Sequence, residues 1–266
     1  EAGLRSFDRT MPEEVNRIVT DQLADLLFTP SADGNENLAR EGIPENKVCL
    51  VGNVMIDTLV RLLPRAEEGW SGLRDRLGLA QEPPSYALVT LHRPSNVDRH
   101  DSLRALVSVL DQIGRDLPVL FAVHPRTRLR LAEFGLEPRA GQVRLLDPLG
   151  YLDFLALQRH ATVVITDSGG IQEETTFLQV PCLTVRENTE RPITLTAGTN
   201  RLVGKDPRRL YREVRNVLAG DVRRGQAPQL WDGRAGERIA KVLTDRQGAS
   251  TAPRAESLER AEQFAK

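Results

Sequence analysis

A doubly wound α/β fold is the architecture this sequence predicts, and three observations carry the expectation. Short apolar stretches of strand length alternate with amphipathic stretches of helix length along most of the chain. Residues 54–245 hold enough strand–helix units for a complete Rossmann-like domain. Residues 1–53 hold about one such unit, too little to close a sheet alone, so they read as the remnant of a first Rossmann-like domain. Residues 246–266 are left as a polar tail; from Gln247 onward it is charged and small-residue rich and reads as a loose end or an exposed helix.

Taking the elements in order, residues 11–28 read as a helix. Pro12 takes an early helical position, Glu13 and Glu14 fall in the first turn, and Val15, Ile18, Leu23 and Leu26 keep helical spacing. Leu26–Pro30 is a short apolar strand ended by proline. Asn35–Glu41 suits a helix closed by Gly42, whose missing Cβ tolerates a left-handed cap. Val48–Val51 is a second strand and Gly52–Asn53 a turn. Strand, helix and strand at this spacing form a βαβ unit, which implies parallel pairing. Ile56–Leu77 is helical, Ala80–Ser85 is a linker around Pro83 and Pro84, and Tyr86–Thr90 is a buried strand. Helix Ser102–Leu117, strand Val119–Val123, helix Leu129–Phe134 and strand Val143–Leu145 follow. Helix Leu152–Gln158, strand Thr162–Ile165, helix Ile171–Leu178 and strand Cys182–Val185 end the series. No internal repeat is evident.

The composition, 40% apolar and 27% charged, is that of an ordinary globular chain of 266 residues. Lys and Arg number 36 against 37 Asp and Glu, a formal net charge of −1. A protein whose main partner is a nucleic acid carries a basic excess, so that class is set aside, with room left for a local basic patch. The longest apolar runs, such as Pro118–Val123 and Ala161–Thr166, are far too short to cross a bilayer, so no membrane partner is expected. The start shows no secretory or transit pattern, and it opens at Glu1 without methionine, as a processed chain or a fragment would. Cys49 and Cys182 form no CxxC and sit far apart, which argues against a disulfide framework and for a reducing, cytoplasmic setting. His92, His100, His124 and His160 show no HxxxH or HExxH spacing, so no metal is expected.

The most informative stretch is Val163–Glu174, in which a buried strand runs into Asp167-Ser168-Gly169-Gly170 and then a helix. Ser168 can cap that helix, and Gly169 and Gly170 let backbone come close to a ligand. The freed N–H groups and the helix dipole then suit an anion such as a phosphate or diphosphate. Glu174, a turn further on, can accept from hydroxyls such as those of a ribose. Spacing alone weighs this evenly against a well-capped, tightly packed turn. Glu190 and Arg191 sit on the loop after Cys182–Val185, on the same carboxyl edge. Arg191 can take a phosphate in a bidentate fork, although a surface ion pair is the slightly favoured plain alternative. His92 in HRPSNVD and His124 in HPRT also follow strands and reach that edge. His92 can donate to phosphate or shuttle a proton, and Arg93 can pair with an acid; a solvated or capping loop histidine is the commoner alternative for His92, and for His124 a turn with a rigid proline weighs equally with a ligand role. At the front, Glu1, Glu13 and Glu14 lie among arginines. Near a helix start the two helical acids are favoured electrostatically with no function at all, and the spacing alone prefers that reading.

EAGLRS, PEEVNR, GNVMID, HRPSNVD, DSGGIQEE, TERP and AGTNRLVG, in this order, resemble the non-hydrolysing UDP-N-acetylglucosamine 2-epimerases. The likeness runs from Glu1 to about Leu243, where DGRAGERI resembles the family's closing helix. It implies a GT-B-like fold of two Rossmann-like domains, the first mostly missing here, with a UDP-sugar in the cleft between them. It implies that Ser168, Gly169 and Gly170 cradle the diphosphate, Glu174 holds the ribose, Phe154 lies beside the uracil, and Arg191 and His92 contact phosphates or sugar. Glu1 and Glu13 match acids implicated in proton transfer, which with His92 makes the catalytic set. His124 falls where some members place a histidine associated with a second, regulatory UDP-GlcNAc, although HPRT departs from the commoner HPNP-like form. The implied reaction removes the C2 proton, expels UDP from C1 to give a glycal, and re-adds UDP to yield UDP-N-acetylmannosamine, with no cofactor, in the service of cell-surface polysaccharide synthesis. A homodimer is implied for the complete protein. The family's amino-terminal strands, glycine-rich first loop and another catalytic aspartate are absent from this chain, so residues 1–266 are expected to be inactive by themselves. A hydrolysing relative releasing UDP and N-acetylmannosamine, a glycosyltransferase of the same fold and a non-catalytic nucleotide-sugar-binding fragment are the alternatives.

Overall fold

The computed structural model describes residues 1–79, 85–139 and 141–251, with the side chains of 247–251 excepted. Residues 80–84 of the expected Ala80–Ser85 linker, and residues 252–266 of the expected tail, lie outside the described residues. Among the described residues there are two parallel sheets. The smaller pairs β1 (Leu27–Thr29) with β2 (Val48–Leu50), joined through helix α2 (Ala32–Arg40) and preceded by helix α1 (Pro12–Leu23). This is the βαβ unit expected from the sequence. Pro12 opens α1, where its missing N–H costs nothing, and Gly42 leaves α2 at φ +80°.

Helix α3 (Val54–Arg76) leads out of this unit; its N-cap Asn53 accepts from the Met55 N–H at 2.9 Å, and the helix continues through Pro64. The chain then lays down β3 (Ala87–Thr90), α4 (Pro94–Val97), α5 (His100–Ile113), β4 (Val119–Ala122), α6 (Pro125–Glu133) and β5 (Val143–Leu146). It continues with α7 (Tyr151–Arg159), β6 (Val163–Thr166), α8 (Gly169–Leu178), β7 (Cys182–Thr184), α9 (Ile193–Thr196), β8 (Asn200–Leu202) and α10 (Pro207–Leu218). The second sheet has the order β5-β4-β3-β6-β7-β8, all parallel, which is the doubly wound arrangement. Its order reverses between β3 and β6, and such a switch point leaves a crevice at the carboxyl ends.

The central strands are covered on both faces, which is why they read as unbroken apolar runs. Leu103, Leu106, Val107 and Leu110 of α5 and Leu210, Val214 and Val217 of α10 bury one face. Leu59, Ala66 and Leu73 of α3 with Leu155–Leu157 of α7 bury the other. Each Leu or Val among them contributes roughly 1.5–3 kcal/mol relative to exposure.

The strand series does not end at Cys182–Val185, because β8 pairs with β7 beyond it and α10 follows. Three residues on a sheet edge, Asn200, Arg201 and Leu202, bury one side chain fully and give no apolar run to read. The last helix among the described residues, α11 (Ala235–Thr251), returns to the start of the chain. Asp57 of α3 accepts from the Ala235 and Gly236 N–H groups, Arg238 donates to the Val51 carbonyl, and the Trp231 indole donates to the Pro30 carbonyl at 2.9 Å. Residues 231–238 thus clasp the βαβ unit against the larger sheet.

That clasp depends on Gly52, which sits at φ +90° with space for no side chain: an added Cβ would lie 2.1 Å from the Leu230 carbonyl oxygen. Gly42 has similar left-handed backbone but open surroundings. Gly42→Ala is therefore expected to cost about 1–2 kcal/mol from backbone alone, and Gly52→Ala clearly more. Urea denaturation of the two variants checks this, and equal losses would contradict the clasp.

Candidate active site

Because every strand of the larger sheet runs the same way, the loops after β3, β4, β6 and β7 meet at one edge. They carry His92, His124, Ser168 with Gly169 and Gly170, and Arg191. The structure brings these together, and it adds the residue that organises them. Asp167 is fully buried at the end of β6. Its carboxylate accepts from the His92 and Arg93 N–H groups and from the Asn96 amide at 2.9–3.1 Å, and the His92 Nδ1 lies 3.0 Å away. Burial pushes this carboxyl up, but His92 and the converging donors outweigh it and hold it below the ordinary aspartate value. With Nδ1–H directed at Asp167, His92 keeps Nε2 as its other ring nitrogen. The His124 ring lies beside it, centroids 5.4 Å apart, and accepts from the Arg126 N–H as the N-cap of α6.

The second knot is Arg191. Its guanidinium meets Glu190 at 2.6 Å, Glu173 at 3.1 Å and Glu1 through a short contact, so three carboxylates surround it. Glu173 and Glu190 are buried, whereas the Glu1 side chain is 54% exposed. Arg186 pairs with Glu190 from the other side at 2.7 Å. Burial raises the Glu190 carboxyl, but Arg186 and Arg191 prevail and bring it down to about 2. For Glu173 burial wins, and its carboxyl is pushed up despite Arg191 and an Asn53 hydrogen bond. Gly169 lies directly under this knot: a Cβ there would approach the Arg191 guanidinium and the Glu190 carboxylate at 2.7–2.8 Å. Gly170 faces open space. The start of α8 therefore presents bare backbone beside a buried arginine, as an anion site requires.

The amino-terminal acids divide by burial. Glu14 is buried and accepts from the Ser6 and Phe7 N–H groups, the Ser6 hydroxyl and Arg17, so it is the member of the pair that holds structure. Glu13 is exposed and lines two clefts, one of about 310 Å³ with Glu1, Asn16 and Arg17, and one of about 480 Å³ with Arg93, Arg186 and Lys205. Burial raises the Glu1 carboxyl, but Arg191, ahead of Arg17, draws it below the ordinary glutamate value.

Glu174 points away from this cluster. It accepts from the Tyr151 hydroxyl at 2.9 Å and the Gln158 amide at 3.2 Å, and burial raises its carboxyl. Phe154, one turn along α7 from Tyr151, is half-buried against the core beneath. Glu174 and Phe154 thus form a separate group on the α7–α8 side. Among the described residues no group of three or more His, Cys, Asp or Glu side chains is set to hold a metal ion. Asp167 and Glu173 were not singled out from the sequence, although a carboxylate ending an all-apolar strand was a signal for the first.

With this geometry in place, known proteins can be compared. The family model for UDP-N-acetylglucosamine 2-epimerase matches residues 1–244. The UDP-N-acetylglucosamine 2-epimerase of Methanocaldococcus jannaschii is 42% identical over 249 residues, which are 92% of this chain and 67% of that protein. The chain belongs to this family of isomerases. A solved structure of the M. jannaschii enzyme with UDP-GlcNAc and UDP superposes with a TM-score of 0.83, covering 92% of this chain and 67% of that one, in line with the expected GT-B-like α/β architecture. A Pseudomonas aeruginosa relative, 38% identical over 91% of this chain and 66% of its own length, is named UDP-2,3-diacetamido-2,3-dideoxy-D-glucuronate 2-epimerase. The chain thus spans about two thirds of the length of these curated relatives.

The Arg191 cluster carries its own acid sensitivity. Glu190 has a depressed folded-state pKa of about 2, so its stabilisation is complete above the ordinary glutamate value and is lost as pH falls towards 2. Glu190→Gln is expected to cost about 3–5 kcal/mol near neutral pH, because Arg186 and Arg191 lose a buried partner. The gap between parent and variant should narrow steadily below about pH 4. Urea denaturation across pH checks this, and parallel pH curves would contradict it.

Proposed function

We propose that the protein interconverts UDP-N-acetylglucosamine and UDP-N-acetylmannosamine, by eliminating UDP and adding it back. The observation that carries the reading is the Arg191 knot: a buried arginine beside the bare start of α8, holding an exposed carboxylate, Glu1, within the same cluster. Departure of UDP puts negative charge on the diphosphate, and fixed N–H donors with a guanidinium stabilise charge that develops there. The C2 hydrogen is not acidic, so the step depends on that stabilisation together with a base. Glu1 and Glu13, which line one cleft, supply carboxylates for removing and returning the C2 proton. His92, oriented by Asp167, sits at the same edge as a donor to phosphate or a proton shuttle. Ser168 and Gly170 belong with the diphosphate, Glu174 and Phe154 with the nucleoside, and His124 with a second, regulatory nucleotide-sugar.

Arg191 also links binding to base strength. A diphosphate oxygen that takes its third edge competes with Glu1, the exposed partner of the three, and not with buried Glu173 or Glu190. Glu1 freed from Arg191 loses an interaction that lowers its pKa and becomes the stronger base. Substrate arrival and base activation are then one event. The aminosugar nucleotide formed suits cell-surface polysaccharide synthesis.

The test is to incubate the intact protein with UDP-N-acetylglucosamine in D2O and follow the C2 position by NMR. Deuterium at C2 in a mixture of two UDP-sugars is the expected result. Free UDP with N-acetylmannosamine would move the protein to the hydrolysing class. Unchanged C2 protium with no product would refute epimerisation of this substrate, and repeating the assay with UDP-2,3-diacetamido-2,3-dideoxy-D-glucuronate would then decide whether the chemistry stands on another sugar.

A further inference from the structure

The mount of Glu1 is built from residues that the reaction itself does not use. Glu1 opens a tight turn in which the Leu4 N–H donates to the Glu1 carbonyl at 3.1 Å. Gly3 occupies the left-handed position of that turn at φ +76°, packed so closely that a Cβ would meet the Gly34 carbonyl oxygen at 2.2 Å. Both polar groups of the Gly3 peptide are held by buried side chains from two different helices. The Gly3 N–H donates to Asp21 of α1 at 2.9 Å, and the Gly3 carbonyl accepts from the Asn37 amide of α2 at 2.8 Å. Asp21 is 3% exposed and Asn37 6% exposed. The same Asp21 oxygen accepts from Arg5 at 2.7 Å, and Arg5 in turn grips Glu41 through two further 2.7 Å bonds.

We propose that Asp21 and Asn37 are positioning residues that fix the height and direction of Glu1 by clamping the Gly3 peptide two residues away. This rests on the reading of Glu1 as a catalytic carboxylate. Glu1 is more than half exposed, so its own side-chain contacts with Arg191 and Arg17 do not fix it once a diphosphate competes for Arg191. On its carboxyl-terminal side the backbone then helps to aim it, and that backbone is held at Gly3. An error on the order of 1 Å in placing a catalytic group can cost up to about a hundredfold in rate. Glu41 is the internal comparison, because it pairs with Arg5 as Asp21 does but makes no bond to Gly3.

The experiment measures kcat and KM for UDP-N-acetylglucosamine in the intact protein and four variants: Glu1→Gln, Asp21→Asn, Asn37→Leu and Glu41→Gln. Asp21→Asn keeps the shape of the clamp with a weaker acceptor, and Asn37→Leu keeps the volume and removes the donor. Each is expected to lower kcat about tenfold while KM changes less than about twofold. Glu41→Gln should leave both within about twofold. A purely structural role would give Asp21→Asn and Glu41→Gln the same loss, or move kcat and KM together, and either result overturns the proposal. Full kcat in both Asp21→Asn and Asn37→Leu overturns it too. Full activity in Glu1→Gln refutes the catalytic reading of Glu1 and takes this proposal with it, whereas a dead Glu1→Gln beside active clamp variants refutes the clamp alone.

Discussion

A buried guanidinium surrounded by three carboxylates is the constraint on which the site turns. Arg191 is 7% exposed, so its charge must be matched where it stands, and Glu173, Glu190 and Glu1 match it from three different parts of the chain. Glu173 brings in α8, Glu190 brings in the β7 loop with Arg186, and Glu1 brings in the amino-terminal segment. The arginine also dictates glycine at 169, since its guanidinium fills the space where a side chain would stand. One ion-pair cluster therefore sets the backbone at the start of α8 and ties the amino-terminal segment to it.

Asp167 does the same for the opposite side of the crevice. Its carboxylate gathers the loop after β3 by two main-chain N–H groups and one amide, and it orients the His92 ring. The two knots are joined through Arg93, which donates to the Asp167 carbonyl and reaches Glu190 at 3.4 Å. Beneath them Gln172 accepts from Thr189 and Asn200, fixing the Arg191 loop to α8 and β8. Buried charges paired with one another make a rigid site, although Arg186 Nη1, Glu190 Oε2 and Arg191 Nε accept or donate no hydrogen bond of good geometry; rigidity is what the proposed charge stabilisation at a departing diphosphate needs.

The fold was legible where burial leaves a simple trace. The strands covered on both faces appear as continuous apolar runs, Gly42 marks the end of α2, and Asn53 followed by helical periodicity marks α3. The edge strand β8 was not legible, since three residues with one buried side chain carry no pattern. Helix α10 was legible and went unread: Leu210, Val214 and Val217 keep helical spacing. The placing of Gly169, Arg191 and His92 at one edge follows from the strand-end loops, but the burial of Arg191 does not, since spacing alone favours a surface ion pair there. The long-range partners do not follow, because nothing local tells Glu173 from Glu174 or Glu13 from Glu14. Adjacent helical residues point about 100° apart, so one member of each pair faces the knot or the core and its neighbour faces elsewhere. Only the packing of α1 and α8 decides which.

A crystal structure of the intact protein with UDP tests the central claim most directly. The account predicts the diphosphate at the start of α8, hydrogen-bonded to Arg191 beside Gly169 and Gly170, with Glu1 turned out of contact with Arg191 and with Glu173 and Glu190 still in place. UDP bound elsewhere, or bound there with the Glu1–Arg191 pair intact, would contradict it.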